Sequence, residues 1–85
     1  MKEFTYVIQD KDGIHARPAG ILVKEATAFK SGMTIYKDEK QGNLKGILGI
    51  MSLGVKQGDE VRIRIEGEDE EAAVKIMEDV FKENL

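Results

Sequence analysis

Val61, Ile63 and Ile65 alternate strictly with Arg62, Arg64 and Glu66. In extended backbone successive side chains point to opposite faces, so this segment carries one apolar face and one charged face. Such a strand belongs to a sheet that is covered on one side and solvated on the other. Phe4, Tyr6 and Ile8 share one face on the same two-residue period, which marks residues 4–8 as a second strand. Met33 to Tyr36 reads as a third. Lys37-Asp38-Glu39-Lys40 is polar enough to turn the chain into a weak fourth strand, Lys40 to Asn43. Gly42 weakens that strand because it offers no side chain to pack.

The covered face needs helices, and the period changes to supply them. Ala16, Ala19, Leu22, Val23, Ala26 and Phe29 recur at helical spacing, and Ser31-Gly32 closes that helix. Leu44 to Leu53 has room for a short helix, although Gly46 and Gly49 each cost it about 1 kcal/mol relative to alanine. Asp69 stands where an N-cap is expected, and Glu70 and Glu71 suit the positive end of the helix that follows. Ala73, Ile76, Met77 and Val80 form its apolar stripe. The order β-α-β-β-α-β-α, with one sheet face to cover, predicts an α+β, two-layer open-faced sandwich. No linker or repeat interrupts it, so residues 1–85 are expected to form a single domain.

Composition then removes several function classes. Lys and Arg number 13 against 16 Asp and Glu, a net charge of −3, which argues against a nucleic-acid binder driven by counterion release. No apolar run approaches the roughly 18 residues that span a bilayer, and the start Met1-Lys2-Glu3-Phe4-Thr5 has no signal-peptide core. No membrane insertion and a cytoplasmic location are therefore expected. The chain has no cysteine, so it has neither disulfides nor thiolate metal sites. The acidic run Glu66 to Glu71 reads as solvated surface, and neither a metal nor a cofactor is expected. His15 is the only imidazole, so nucleophilic or general-base chemistry that needs one must use it.

His15 lies within Gly13-Ile14-His15-Ala16-Arg17-Pro18-Ala19, at a junction from loop to helix. A helix N-terminus has N–H groups without intrahelical partners and a positive dipole end, and both attract phosphate. At the N-cap, the His15 ring would stand beside that anion site, in surroundings that favour the neutral, nucleophilic imidazole. Pro18 lacks an N–H, but in the first turn that donor would be idle anyway. The N–H groups of Ala16 and Arg17 remain, and the Arg17 guanidinium adds charge-assisted hydrogen bonds. On the short helix, Ile47, Leu48 and Met51 form one face, and Leu44, Ile50 and Leu53 another. The helix is too short to bury both.

These residues carry a resemblance. The stretch Gly13 to Ala19 resembles the active-site signature of the HPr family, the histidine-containing phosphocarriers of the bacterial phosphoenolpyruvate:sugar phosphotransferase system. A second block, Asn43-Leu44-Lys45-Gly46-Ile47-Leu48-Gly49-Ile50-Met51-Ser52-Leu53-Gly54, resembles the family's second-helix segment. The resemblance spans essentially the whole chain. It implies a four-stranded antiparallel sheet in the order 1-4-2-3 backed by three helices. It also implies a phosphocarrier that accepts a phosphoryl group from enzyme I on His15 Nδ1 and passes it to IIA-type transporter components. In that role Ala16 and Arg17 bind phosphate. Gly20, Lys24, Ile47, Leu48 and Met51 form the partner surface. A monomer is expected, acting through a phosphohistidine intermediate rather than as a stand-alone turnover enzyme. Two rivals stand beside this reading. One is an HPr-like regulatory module that reports phosphorylation state to non-transport partners. The other is an enzyme with His15 as general base, which would need a deep pocket there.

Three positions depart from the family pattern. Gly46 stands where many relatives carry a kinase-phosphorylated serine. Asp12 stands where relatives often have a small neutral residue. Thr27 and Gly49 replace lysines found in some relatives, which leaves Lys24 and Lys45 as the basic rim.

Overall fold

A computed structural model describes residues 1–85. Its elements are β1 (Lys2–Val7), α1 (Ala16–Thr27), β2 (Gly32–Lys37), β3 (Lys40–Asn43), α2 (Ile47–Met51), β4 (Glu60–Glu66) and α3 (Glu70–Asn84). One antiparallel sheet runs β1-β4-β2-β3, as the family resemblance implies. The three helices cover one of its faces.

The register explains why alternation was so informative. Phe4 and Ile35 both stand opposite Ile63, Tyr6 stands opposite Val61, and Met33 opposite Ile65. These rows face the helices, and Ile35, Ile63 and Ile65 are fully buried. On the solvent face Arg62 stands opposite Tyr36, with its guanidinium 4.5 Å from the ring centroid. From the helix side, Ala19, Leu22 and Ala26 of α1 and Ala73, Met77, Val80 and Phe81 of α3 complete the core.

Gly42 does not abolish β3; it lets α2 in. A Cβ on Gly42 would come within 2.6 Å of the Gly49 carbonyl oxygen. The two glycines bring strand and helix backbones into close approach, which a side chain at Gly42 would block. The helix expected over Leu44 to Leu53 shortens to Ile47–Met51, with Leu44 and Leu53 buried outside its ends. Two further expectations are corrected. Ile76 is 44% exposed, and the apolar stripe of α3 continues through Phe81 instead, with buried Leu85 just past the helix end. The first helix ends at Thr27 rather than Phe29, and Ala16 is exposed.

Asp69 is the N-cap of α3, but its side chain caps nothing in that helix. Its carboxylate accepts the N–H groups of Lys30 (2.8 Å) and Ser31 (2.9 Å) and the hydroxyl of buried Ser31. It thereby ties the α1–β2 turn to the start of α3. The Ser31 hydroxyl, followed by the Lys30 N–H, holds the Asp69 carboxyl below its ordinary value of 3.8. The folded chain thus binds the Asp69 proton more weakly than the unfolded chain. The resulting stability is present above the ordinary value and is lost as pH falls through the lowered one. Thermal unfolding should accordingly show Asp69→Asn less stable than the parent at about pH 6, with the gap narrowing as pH falls below the ordinary value of 3.8. A gap independent of pH would show that the charge contributes nothing.

Candidate functional site

Backbone geometry places His15. Gly13 has φ +66°, and a Cβ there would lie 2.2 Å from the Val55 carbonyl oxygen. Only glycine lets the loop press against Val55 in this way. The next residue, Ile14, is buried, and its N–H donates to the same Val55 oxygen at 3.1 Å. On the other side, the N–H groups of Gln9 and Asp10 donate to a backbone carboxylate oxygen of Leu85, and the Gly13 N–H to the Asp10 carbonyl oxygen. The loop from Gln9 to Ile14 is thus held by two distant segments, and it delivers His15 to the first turn of α1.

His15 is the N-cap of α1, with extended φ and ψ and no side-chain cap hydrogen bond. Its carbonyl oxygen accepts the Ala19 N–H at 3.0 Å, which starts the helix. The ring is therefore not consumed by capping, and its side chain is 41% exposed. The N–H groups of Ala16 and Arg17 have no backbone acceptor in the chain, and Pro18 is buried as the first turn closes. Arg17 is exposed and pairs with no carboxylate of the chain. His15, Arg17, Pro18 and Ile21 share a depression of about 390 Å³ with Asp10, Lys11, Asp12 and Asn84. Six of its eight lining residues are polar or charged, and it opens to solvent, unlike the apolar enclosure of a small-molecule site. A larger concavity of about 750 Å³ lies elsewhere, around Thr34, Tyr36 and Arg64 on the open sheet face.

The other sequence-predicted residues divide into two groups. Lys24 lies exposed on α1, and a Cβ on Gly20 would meet nothing within 4 Å. On α2, Ile47, Leu48 and Met51 are 45%, 85% and 38% exposed, whereas Leu44, Ile50 and Leu53 are buried. The sheet and core take the latter set. Lys45 departs from expectation: it is half-buried, and its ammonium donates to the Phe29 carbonyl oxygen at 2.8 Å. It staples the α1–β2 turn to the residues before α2 and is not a free rim charge. Sequence reasoning also missed Asp10, whose Oδ2 lies 3.8 Å from His15 Nε2. Nothing in the spacing shows that the loop folds Asp10 back onto a ring five residues later.

No helix is long and apolar enough to cross a membrane. Residues 2–83 match the family described as PTS HPr component phosphorylation site. The phosphocarrier protein HPr of Mycoplasma capricolum is 47% identical over 75 residues, which cover 88% of this chain and 84% of that protein. A solved histidine-containing phosphocarrier of Mycoplasma superposes with TM-score 0.94 at 41% identity, covering 96% of this chain and 93% of that one. An HPr of Thermoanaerobacter tengcongensis, described as a dimer, has TM-score 0.77 at 48% identity, covering 98% and 95%. With its element order, its sheet topology and a histidine-capped helix in the matched region, the chain belongs to the HPr family of phosphocarriers of the phosphotransferase system.

Proposed function

We propose that the whole chain, 1–85, is a cytoplasmic phosphocarrier unit that takes a phosphoryl group from phosphorylated enzyme I onto His15 Nδ1. From there the group passes to a histidine of a IIA-type component. The observation that carries this reading is the uncapped, half-exposed His15 ring beside first-turn N–H groups that lack an acceptor. Those donors and the Arg17 guanidinium supply positive partial and full charge where phosphoryl oxygens would lie. They hold the group without enclosing it, which suits a step that must run in both directions. The polar, shallow surroundings of His15 speak against the general-base enzyme.

The exposed Ile47, Leu48 and Met51 form the apolar part of the partner surface, with Gly20 and Lys24 at its edge. Met51 supplies adaptable packing for more than one partner. The carrier acts as a monomer, because it must present His15 to one partner after another; sedimentation should show a 9.5 kDa species. A dimer, as described for the relative from T. tengcongensis, would overturn that point. The decisive experiment is a chase. Purified chain carrying labelled phosphohistidine is mixed with IIA components, and label should move to IIA. Label that forms but moves to no IIA component would favour the regulatory-module reading.

Two further outcomes follow from the departures. Gly46 has no hydroxyl, Ser31 is buried against Asp69, and the Ser52 hydroxyl donates to the Gly49 carbonyl oxygen. Incubation with an HPr kinase and ATP should therefore leave the chain unlabelled; stoichiometric label would show serine control by another route. Asp12 places a carboxylate beside the phosphoryl site. Like charges repel, and the repulsion is relieved when the group leaves. Asp12→Ser should lengthen the half-life of the phosphohistidine several-fold, since each 1.4 kcal/mol is a factor of ten. An unchanged half-life would remove repulsion as the cause.

A further inference from the structure

Asp10, Asp12 and His15 bring one donor atom each to a single point. The three donor atoms lie within 4.8 Å of one another, and His15 Nε2 and Asp10 Oδ2 are 3.8 Å apart. Asp10 Oδ1 accepts the Asp12 N–H at 2.8 Å, which leaves Oδ2 turned towards the ring. No lysine or arginine pairs with either aspartate.

We propose that these three side chains bind a first-row divalent metal ion of the zinc type, and that the bound ion switches off His15 as a phosphoryl acceptor. An imidazole nitrogen with two carboxylate oxygens, and no thiolate, suits zinc and its neighbours; calcium and magnesium prefer all-oxygen shells. Zinc bonds of about 2.0–2.2 Å put tetrahedral ligands roughly 3.5 Å apart. The donors must therefore close by about 1 Å, a movement open to the exposed Asp12 side chain. Three protein ligands leave a fourth position for water. The backbone bonds of Asp10 to Leu85 and of Gly13 to Asp10 hold the loop in place. Lys11 and Arg17, in the same depression, oppose the ion's charge and lower the affinity of the site.

The switch follows from the electron pairs of the ring. Neutral imidazole has one nitrogen lone pair in the ring plane and one N–H. A metal ion that takes the Nε2 pair leaves the proton on Nδ1, and a protonated Nδ1 has no pair with which to attack phosphorus. This half of the proposal rests on the phosphocarrier reading; metal binding by itself does not.

Calorimetric titration of zinc chloride into the metal-stripped full chain tests the site directly. One ion should bind per chain. Asp10→Asn, Asp12→Ser and His15→Ala, each checked for folding by circular dichroism, should each weaken binding at least tenfold, since loss of mere outer-shell partners of metal ligands already costs about 10–100-fold. Absence of stoichiometric binding, or variants that bind like the parent, would overturn the site. Uptake of label from purified phospho-enzyme I is then measured with and without zinc. It should fall in proportion to occupancy, and Asp12→Ser should need at least about ten times more zinc for the same loss. Full uptake by zinc-loaded chain would overturn the switch. Failure to take up label even without zinc would count against the carrier reading alone, because the calorimetry decides the site independently.

Discussion

His15→Ala should take up no label from phosphorylated enzyme I, while the parent chain acquires an acid-labile, base-stable phosphoryl group. His15 is the only imidazole in the chain, so no second ring can substitute for it. The side chain is 41% exposed and makes no cap hydrogen bond, so its removal leaves no buried partner unsatisfied. Its loss should change stability by no more than about 0.5 kcal/mol, as for surface positions generally. Urea unfolding of the same preparation therefore separates lost chemistry from lost fold. Label on folded His15→Ala would place the acceptor elsewhere and refute the central assignment.

Phe81→Ala carries the largest expected effect on stability. Phe81 is fully buried on α3 and meets Phe4 and Tyr6 of β1 edge to face, with ring centroids 5.5 Å and 5.8 Å away. It joins the last helix to the first strand, so the cavity left by its ring would open between two elements at opposite ends of the chain. Removing a buried phenyl ring costs about 3–5 kcal/mol. A chain of this length has a total of only about 4–13 kcal/mol. The urea midpoint should fall by at least about a quarter, or the variant should be unfolded in buffer. A loss below about 1 kcal/mol would mean that α3 packs on the sheet less tightly than the ring geometry shows.

Most of the architecture was legible because alternation and helical spacing report which face is buried, and burial is the largest local signal a sequence carries. Val61 to Glu66 and Ala19 to Ala26 behave in the structure as their periods predict. Departures occur where several elements meet. Ile76 looks apolar enough for the core, but it is 44% exposed, while Phe81 and Leu85 are buried. Asp69 has the residue type and position of a helix cap, yet three donors from the α1–β2 turn claim its carboxylate. Lys45 reads as a free surface charge, yet the Phe29 carbonyl oxygen lies within its reach. For Asp69 and Lys45 the competing group lies far along the chain, beyond any local pattern.

The functional site divides in the same way. Residue types and spacing alone placed His15 at a helix N-terminus, with Pro18 in the first turn and Arg17 beside it, because those preferences are local and steric. Residue types also showed that α2 cannot bury both of its faces. Tertiary structure decided which face it buries, since only the packed sheet shows Leu44, Ile50 and Leu53 inside and Ile47, Leu48 and Met51 outside. It also decided what surrounds the His15 ring. Gly13 folds against Val55, Leu85 captures the N–H groups of Gln9 and Asp10, and the Asp10 carboxylate is thereby brought to 3.8 Å from His15 Nε2. The contacts with Val55 and Leu85 join residues more than forty positions apart, and the local sequence carries no information about them until the core has closed.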